Sequence, residues 1–228
     1  AADTFVFEAA LDDPVAQQQL QMLVAQKGFL PPGQSLHAML TPEAQAELDE
    51  AIAAARIAPE FIDRERPWLA ALQLTIARLG QQKFGAENGV DKAVMAVASA
   101  AAKPERYFET LEEQLALFAP ADPKLELAEF QSDIADIKNL PDEVEPLFDA
   151  WARGDADKID ELMNGEMNDR PEAKTALIDD RNKRWLVKIE AMLKEKHAFF
   201  ITVGAGHLAG PGSVPNLLRK AGYEVDGP

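Results

Sequence analysis

The chain has 228 residues, 47% of them hydrophobic, which supplies the core of one large domain or of a domain with a sizeable insert. Its 23 basic and 39 acidic residues leave a formal net charge of −16, which argues against a nucleic-acid partner because phosphate binding needs clustered Lys and Arg. The absence of cysteine excludes disulfides and thiolate metal sites, and no apolar run is long enough for a membrane span. The acidic excess reads first as well-solvated helix faces.

Thr4 to Glu8, TFVFE, predicts a short strand ending in a carboxylate. Asp13 and Pro14 then form an N-cap and N1 pair for a helix that stops at Gly28, with Val15, Leu20, Leu23 and Val24 inward. Thr41-Pro42 opens a second helix, with Ala44, Leu48, Ile52 and Ala55 on one face. Pro67 opens a third, with Leu69, Leu72, Ile76 and Leu79 in helical spacing. Val90 to Ala102 is a small-residue helix suited to close packing on a sheet. Arg106 to Glu109, RYFE, is a second strand ending in glutamate. A capping box at Thr110-Leu111-Glu112-Glu113 starts a helix directly after it.

From Asp122 to about Asn168 the sequence is helical and acidic. Pro123, Pro141, Pro146, Gly154 and Gly165 are read as boundaries of several antiparallel helices. Phe130, Ile134 and Ile137 mark one inner face; Val144, Leu147, Phe148 and Trp151 mark the next. Pro171 opens the last long helix, with Trp185, Leu186, Ile189, Met192 and Leu193 on one face. It feeds a strand over Ala198 to Val203, the turn Gly204-Ala205-Gly206-His207, a helix capped by Ser213 and stopped by Gly222, and a final strand through Val225. The fold class expected is α/β: one domain over 1–228, with a small central sheet and a large, mostly helical insertion over about 12–196 that carries a short strand near 106–109.

His207 is the first candidate for chemistry, because it follows a glycine turn just past a strand end, where ligands bind in open α/β sheets. Gly204 and Gly206 let a ligand approach the backbone. A Gly-x-x-His is a weak signal by itself, and the plainer reading is a turn histidine bonded to a backbone carbonyl. Glu8 and Glu109 come next. If their strands run parallel to 198–203, both carboxylates and His207 emerge along one edge, a set suited to a hard or zinc-like metal with a water nucleophile. Otherwise each glutamate is a solvated chain end. Arg181-Asn182 is either a surface pair balanced by Asp179 and Asp180, or a guanidinium and amide facing the cleft to hold an oxyanion. His37 reads as a loop residue and His197 as a helix C-terminal histidine. No phosphate loop, HExxH helix or serine nucleophile elbow occurs.

Asp180-Arg181-Asn182-x-x-Trp185, then Val203-Gly204-Ala205-Gly206-His207-Leu208, then Leu217-Leu218 through Gly222-Tyr223-x-Val225 resemble the C-terminal signature of the TraB/PrgY/GumN family, to which the Tiki metalloproteases are related. Phe5-Val6-Phe7-Glu8, Arg66-Pro67-Trp68, Gly89-Val90-Asp91 and Glu109-Thr110 with Gln114 agree in order, so the resemblance covers nearly the whole chain and is nearest to the bacterial GumN-like branch. It implies an α/β core with a helical insertion and a divalent-metal hydrolase site for a peptide or small-molecule substrate. By position, His207 and Glu8 would be metal ligands. Glu8, Glu109, Arg181, Asn182 and His207 would carry the chemistry, with Gly204 and Gly206 beside the cofactor. It also implies a periplasmic or secreted location. The family's first Gly-x-x-His, which precedes the FVFE-like strand, does not occur in these residues. The expectation is therefore an N-terminally truncated form that keeps half of a paired-histidine site, which puts its metal affinity and its activity in question.

Two other functions compete. One is a non-catalytic binding or regulatory protein whose acidic helices hold a peptide or partner. The other is a bulky cofactor such as haem at the sheet edge, with His207 as axial ligand.

Overall fold

The computed structural model describes residues 2–81, 88–119, 122–167 and 171–227. Three short strands, β1 (Thr4–Phe7), β2 (Glu105–Tyr107) and β3 (Phe199–Ile201), form one parallel sheet in the order β2-β1-β3. Phe5 pairs with Glu105 and with Phe200, so all three strands point their C-terminal ends the same way. The fold is α/β, with a small sheet outnumbered by helices. These are α1 (Pro14–Lys27), α2 (Leu36–Met39), α3 (Pro42–Ala55), α4 (Pro59–Ile62), α5 (Pro67–Gln81), α6 (Val90–Ala100), α7 (Leu111–Phe118), α8 (Pro123–Arg153), α9 (Ala156–Met167), α10 (Pro171–Lys174), α11 (Asp180–Met192) and α12 (Val214–Lys220).

The chain divides into two units. The sheet unit takes 1–9, 90–109 and 144–228; the helical unit takes 10–89 and 110–143. The helices of the expected insertion are thus shared out: α6 and α9 to α11 belong with the strands. In the sheet unit, Val6 and Phe108 pack with Trp185, Ile189 and Met192 of α11 and Val214 of α12. The small residues of α6 allow that helix to lie against β1, with Met95 and Ala98 buried.

In the helical unit, Ala44, Leu48, Ile52 and Ala55 of α3 are buried as the spacing predicts, against Leu74 of α5 and Phe130, Ile134 and Ile137 of α8. Here polar caps replace long-range strands. Glu126, 3% exposed, accepts from the Trp68 backbone N–H at 3.1 Å and from Arg66 Nη2 at 2.5 Å, which caps α5. The Trp68 indole donates to the Lys27 carbonyl at the end of α1.

Several expectations are corrected. The helix α8 runs unbroken through Pro141 and Pro146, and α9 runs through Gly165. A proline inside a helix removes one backbone bond and costs about 3 kcal/mol, but 31 residues of helix keep the rest of the ladder. Phe148 and Trp151 are both 45% exposed and pack on each other, while Leu147 faces the core. In α5 the buried face is Trp68, Leu69, Ala70 and Leu74, and Ile76 is exposed; in α1 Val15 is exposed. His37 lies in α2, and His197 follows α11 rather than ending it. No strand forms over Tyr223–Val225; the Arg219 guanidinium instead donates to the Val225 and Gly227 carbonyls. The boundary expected near Asn168 lies outside the described residues.

Glu65 is a buried acid in the helical unit, 2% exposed. Gln73 donates to its Oε1, and among the described residues Oε2 has no hydrogen-bond partner. Burial pushes its pKa from 4.5 up to about 7. Below about pH 7 the carboxyl group is neutral in the fold, so its stabilising contribution is full below the unfolded value and is lost as pH rises through about 7. Glu65→Gln is expected to raise stability by about 2–3 kcal/mol at pH 8 and to give no comparable gain at pH 4.5. Urea midpoints at the two pH values check this; an equal shift at both would reject ionisation as the cause.

Candidate functional site

The parallel register puts Glu8 and Glu109 just past the C-terminal ends of β1 and β2, and the loop after β3 leads into a single 3-10 turn over Ala205–His207. Backbone bonds lock the two glutamates side by side: the Glu109 N–H donates to the Glu8 carbonyl at 2.8 Å. The condition posed by the sequence holds, and all three groups share one edge of the sheet.

Arg181 is the hub. It lies at the start of α11, just after a π-helical turn over Thr175–Asp179 in which the Asp180 N–H reaches back five residues to the Thr175 carbonyl. Its Nε and Nη2 donate bidentately to Glu109 at 2.9 and 2.8 Å. Nη2 also donates to Glu8 Oε2 at 2.6 Å, and Nη1 donates to the Leu177 carbonyl at 3.1 Å and to His207 Nε2 at 3.0 Å. All five guanidinium N–H groups therefore have acceptors. Burial works against the charge, but the hydrogen bonds and charges of Glu109 and Glu8 outweigh it and hold the pKa of Arg181 above its ordinary value. The plainer reading of Arg181, a surface pair with Asp179 or Asp180, does not hold. Those acids pair instead with Lys174 and Lys183.

The next residue takes the other ring nitrogen. Asn182 Nδ2 donates to the Gly212 carbonyl at 2.9 Å, which leaves Oδ1 as an acceptor 2.6 Å from His207 Nδ1. Arginine has no lone pair to offer, so His207 Nε2 must accept from it and Nδ1 must carry the proton. Two consecutive residues thus fix both the orientation and the tautomer of the imidazole. Burial, together with the positive charge of Arg181, drives the His207 pKa down to about 4 against the opposing pull of Glu8 and Glu109. The histidine is 3% exposed and neutral at pH 7. Enclosed in this way, it offers no open face to a porphyrin, and the haem reading is dropped.

Trp185, one turn on from Arg181, forms the floor. Its indole donates to Glu109 Oε1 at 3.0 Å, stacks on Phe108 at 4.9 Å and lies 4.3 Å from the His207 ring. The Arg181 guanidinium sits 4.8 Å from its ring centroid. The helical spacing places Trp185 on an inner face and the signature motif includes it, but neither assigns it this polar task. Gly204 contributes its backbone, its N–H donating to Glu8 Oε1 at 2.7 Å. At Gly206 a Cβ would lie 2.7 Å from Met163 Cε, so α9 packs closely over that glycine. Asp91, in the first turn of α6, is a further acid near the set: burial and the charge of Glu8 both raise its pKa. Its place in a motif was legible, but its relation to Glu8 was not.

A metal needs free donors. His207 Nε2 and Glu8 Oε1 are 4.0 Å apart, wider than the roughly 3.4 Å between two ligands of a tetrahedral ion with bonds of about 2.1 Å. Nε2 is already committed to Arg181, Glu8 Oε1 to Gly204 and Glu109 to Arg181 and Trp185. Among the described residues no group of three His, Cys, Asp or Glu side chains is placed to hold an ion. The donor types are those of a metal site, but as arranged they do not fit one.

The model of the TraB/PrgY/gumN family matches residues 1–227, and the chain belongs to that family. Metalloprotease TIKI1 of Danio rerio is 44% identical over 52 residues, 22% of this chain and 10% of the relative. Metalloprotease TIKI2 of Danio rerio is 32% identical over 93 residues, 40% of this chain and 16% of the relative. The matched segments are thus a small part of those longer proteins. No solved structure matches the chain.

Proposed function

We propose that this member of the TraB/PrgY/gumN family is a hydrolase of peptide or other acyl bonds, with Glu8, Glu109, Arg181, Asn182 and His207 as its working set. The observation that supports this best is the convergence of a neutral, tautomer-fixed histidine, two carboxylates and a guanidinium at the C-terminal edge of one parallel sheet. A neutral imidazole is the form that accepts a proton or binds a cation. Asn182 keeps its Nε2 turned inward, and the Arg181 guanidinium, whose N–H groups are all engaged at rest, sets a positive charge beside a developing negative one. The relatives' printed name, metalloprotease, supports a divalent cation, and His207 with Glu8 is the donor pair we assign to it. With Arg181 on that pair, no step is routed through an ion. Two protein donors are fewer than the three of a catalytic zinc site. A periplasmic or secreted location accompanies this reading.

The test uses fluorogenic peptides and esters, with and without added divalent metal. His207→Ala and Glu8→Gln are each expected to lower hydrolysis by about 100-fold or more while the circular dichroism of the fold is kept. Hydrolysis by His207→Ala at the rate of the parent chain would overturn the assignment.

A non-catalytic binding role has one observation in its favour. In the helical unit, Trp68, Phe118 and Phe130 line a cavity of roughly 230 Å³ together with Glu129 and Asp133, a chemistry suited to a basic peptide side chain with an apolar stem. Hydrolysis lost in neither site variant, together with peptide binding lost on Phe130→Ala, would favour it.

A further inference from the structure

We infer that Arg181 is the resident cation of this site and that a divalent metal and the Arg181 guanidinium compete for the same donors. The inference rests on the reading of His207 and Glu8 as metal donors, and it explains why those donors do not fit an ion as arranged.

The acceptors around Arg181 are two carboxylates, one imidazole nitrogen and one backbone carbonyl. Carboxylate and imidazole are the side-chain classes that hold borderline and hard divalent cations. Here they are spaced around a planar five-donor fork instead of a point charge. The exclusion is sharpest at His207. An imidazole Nε2 has one lone pair, and Arg181 Nη1 occupies it at 3.0 Å. The other ring nitrogen offers no alternative, because its proton is given to Asn182 Oδ1 at 2.6 Å. An ion at His207 therefore requires the Arg181–His207 bond to be broken. At Glu8 the exclusion is electrostatic rather than strict: each carboxylate oxygen has a second lone pair, but Oε2 is 2.6 Å from Nη2 and Oε1 accepts from the Gly204 N–H, so an ion there meets the guanidinium's positive charge. The cation–π face of Trp185 and the Leu177 carbonyl favour the guanidinium over an ion, since neither serves a compact, strongly hydrated cation as well. Arg181 is then a positioning residue that keeps the carboxylates and imidazole together and sets how tightly a metal binds.

Zinc titration of the full chain by isothermal calorimetry tests this. Arg181→Met is expected to bind Zn²⁺ about tenfold tighter or more than the parent chain, and the gain is expected to vanish in Arg181→Met/His207→Gln. Equal affinity, or a gain that survives without His207, would overturn the inference. If Arg181→Met does not fold, Arg181→Lys replaces it: lysine keeps the charge without the five-donor fork, so tighter binding supports competition and unchanged binding rejects it. Nitrogen-15 NMR of the parent chain gives an answer that needs no variant. Without metal, His207 should be the Nδ1–H tautomer, and zinc should move the His207 Nε2 and Arg181 Nε signals together. A shift at His207 that leaves Arg181 untouched would overturn the competition. Neither measurement reads hydrolysis, so failure here leaves the peptide and ester assay to judge the hydrolase reading by itself.

Discussion

Replacing Trp185 with alanine is expected to lower the stability of the sheet unit by about 3–5 kcal/mol, the usual range for truncating a buried aromatic residue. Trp185 is fully buried, and its ring is shared by Phe108, His207 and Arg181. Truncation would open a cavity beneath the site and leave Glu109, itself 7% exposed, short of one donor. Trp185→Phe separates the two effects. It keeps most of the apolar contact but loses the indole N–H, so its cost should be nearer 1–2 kcal/mol. Chemical denaturation of the three proteins, followed by circular dichroism, checks both figures. A loss below about 1 kcal/mol for the alanine variant would mean that the floor of the site collapses around the gap at little cost.

The second large effect is set by pH. His207 has a folded pKa of about 4 against an ordinary value of 6.5, so between those values the unfolded chain binds the proton and the folded chain does not. Stability from this residue is complete above about pH 6.5 and is lost as pH falls toward 4, a loss of up to about 3 kcal/mol in the sheet unit. Below pH 4 the imidazole itself charges. Its Nε2 must then donate rather than accept, and the Arg181 bond turns from attraction into the meeting of two cations. Glu65 in the helical unit has the opposite sign, since its contribution is lost as pH rises through about 7. The two units should therefore respond to acid in opposite senses over pH 4.5 to 6.5. Calorimetric scans at pH 5 and pH 7.5, with His207→Gln and Glu65→Gln as controls, read this directly. A His207→Gln variant that still loses stability between pH 6.5 and 4 by the parent's amount would place the acid sensitivity elsewhere.

The sheet edge was legible because its signals are local. TFVFE, RYFE and FFITVG each combine a β-forming run with a glutamate or a glycine turn, and the parallel pairing that aligns them is the usual outcome for strands joined through helices. Glu8, Glu109, Arg181, Asn182 and His207 do meet, and each lies in one of the motifs that carry the family resemblance. The roles were less legible. Nothing near Arg181 in sequence says that its partners lie 72 and 173 residues away, and Asp179 and Asp180 offered a nearer, mistaken pairing. Prolines 141 and 146 misled because a long helix carries the loss of single bonds that a short one would not. The C-terminal segment carries a β-like run but no strand, and its Val225 carbonyl is bonded by the Arg219 side chain, a contact invisible to any periodicity.

The wide turn over Thr175–Asp179 gives the site an angular dependence of its own. Each residue of an α-helix turns the chain by about 100°, and a wide turn shifts the phase of everything after it. Arg181, Asn182 and Trp185 all follow that shift, and each must face the sheet edge for the cluster to close. The spacing from Pro171 to Arg181 thus acts as a dial setting: the composition of that stretch can drift, but its length and local winding cannot change without turning three working side chains away at once.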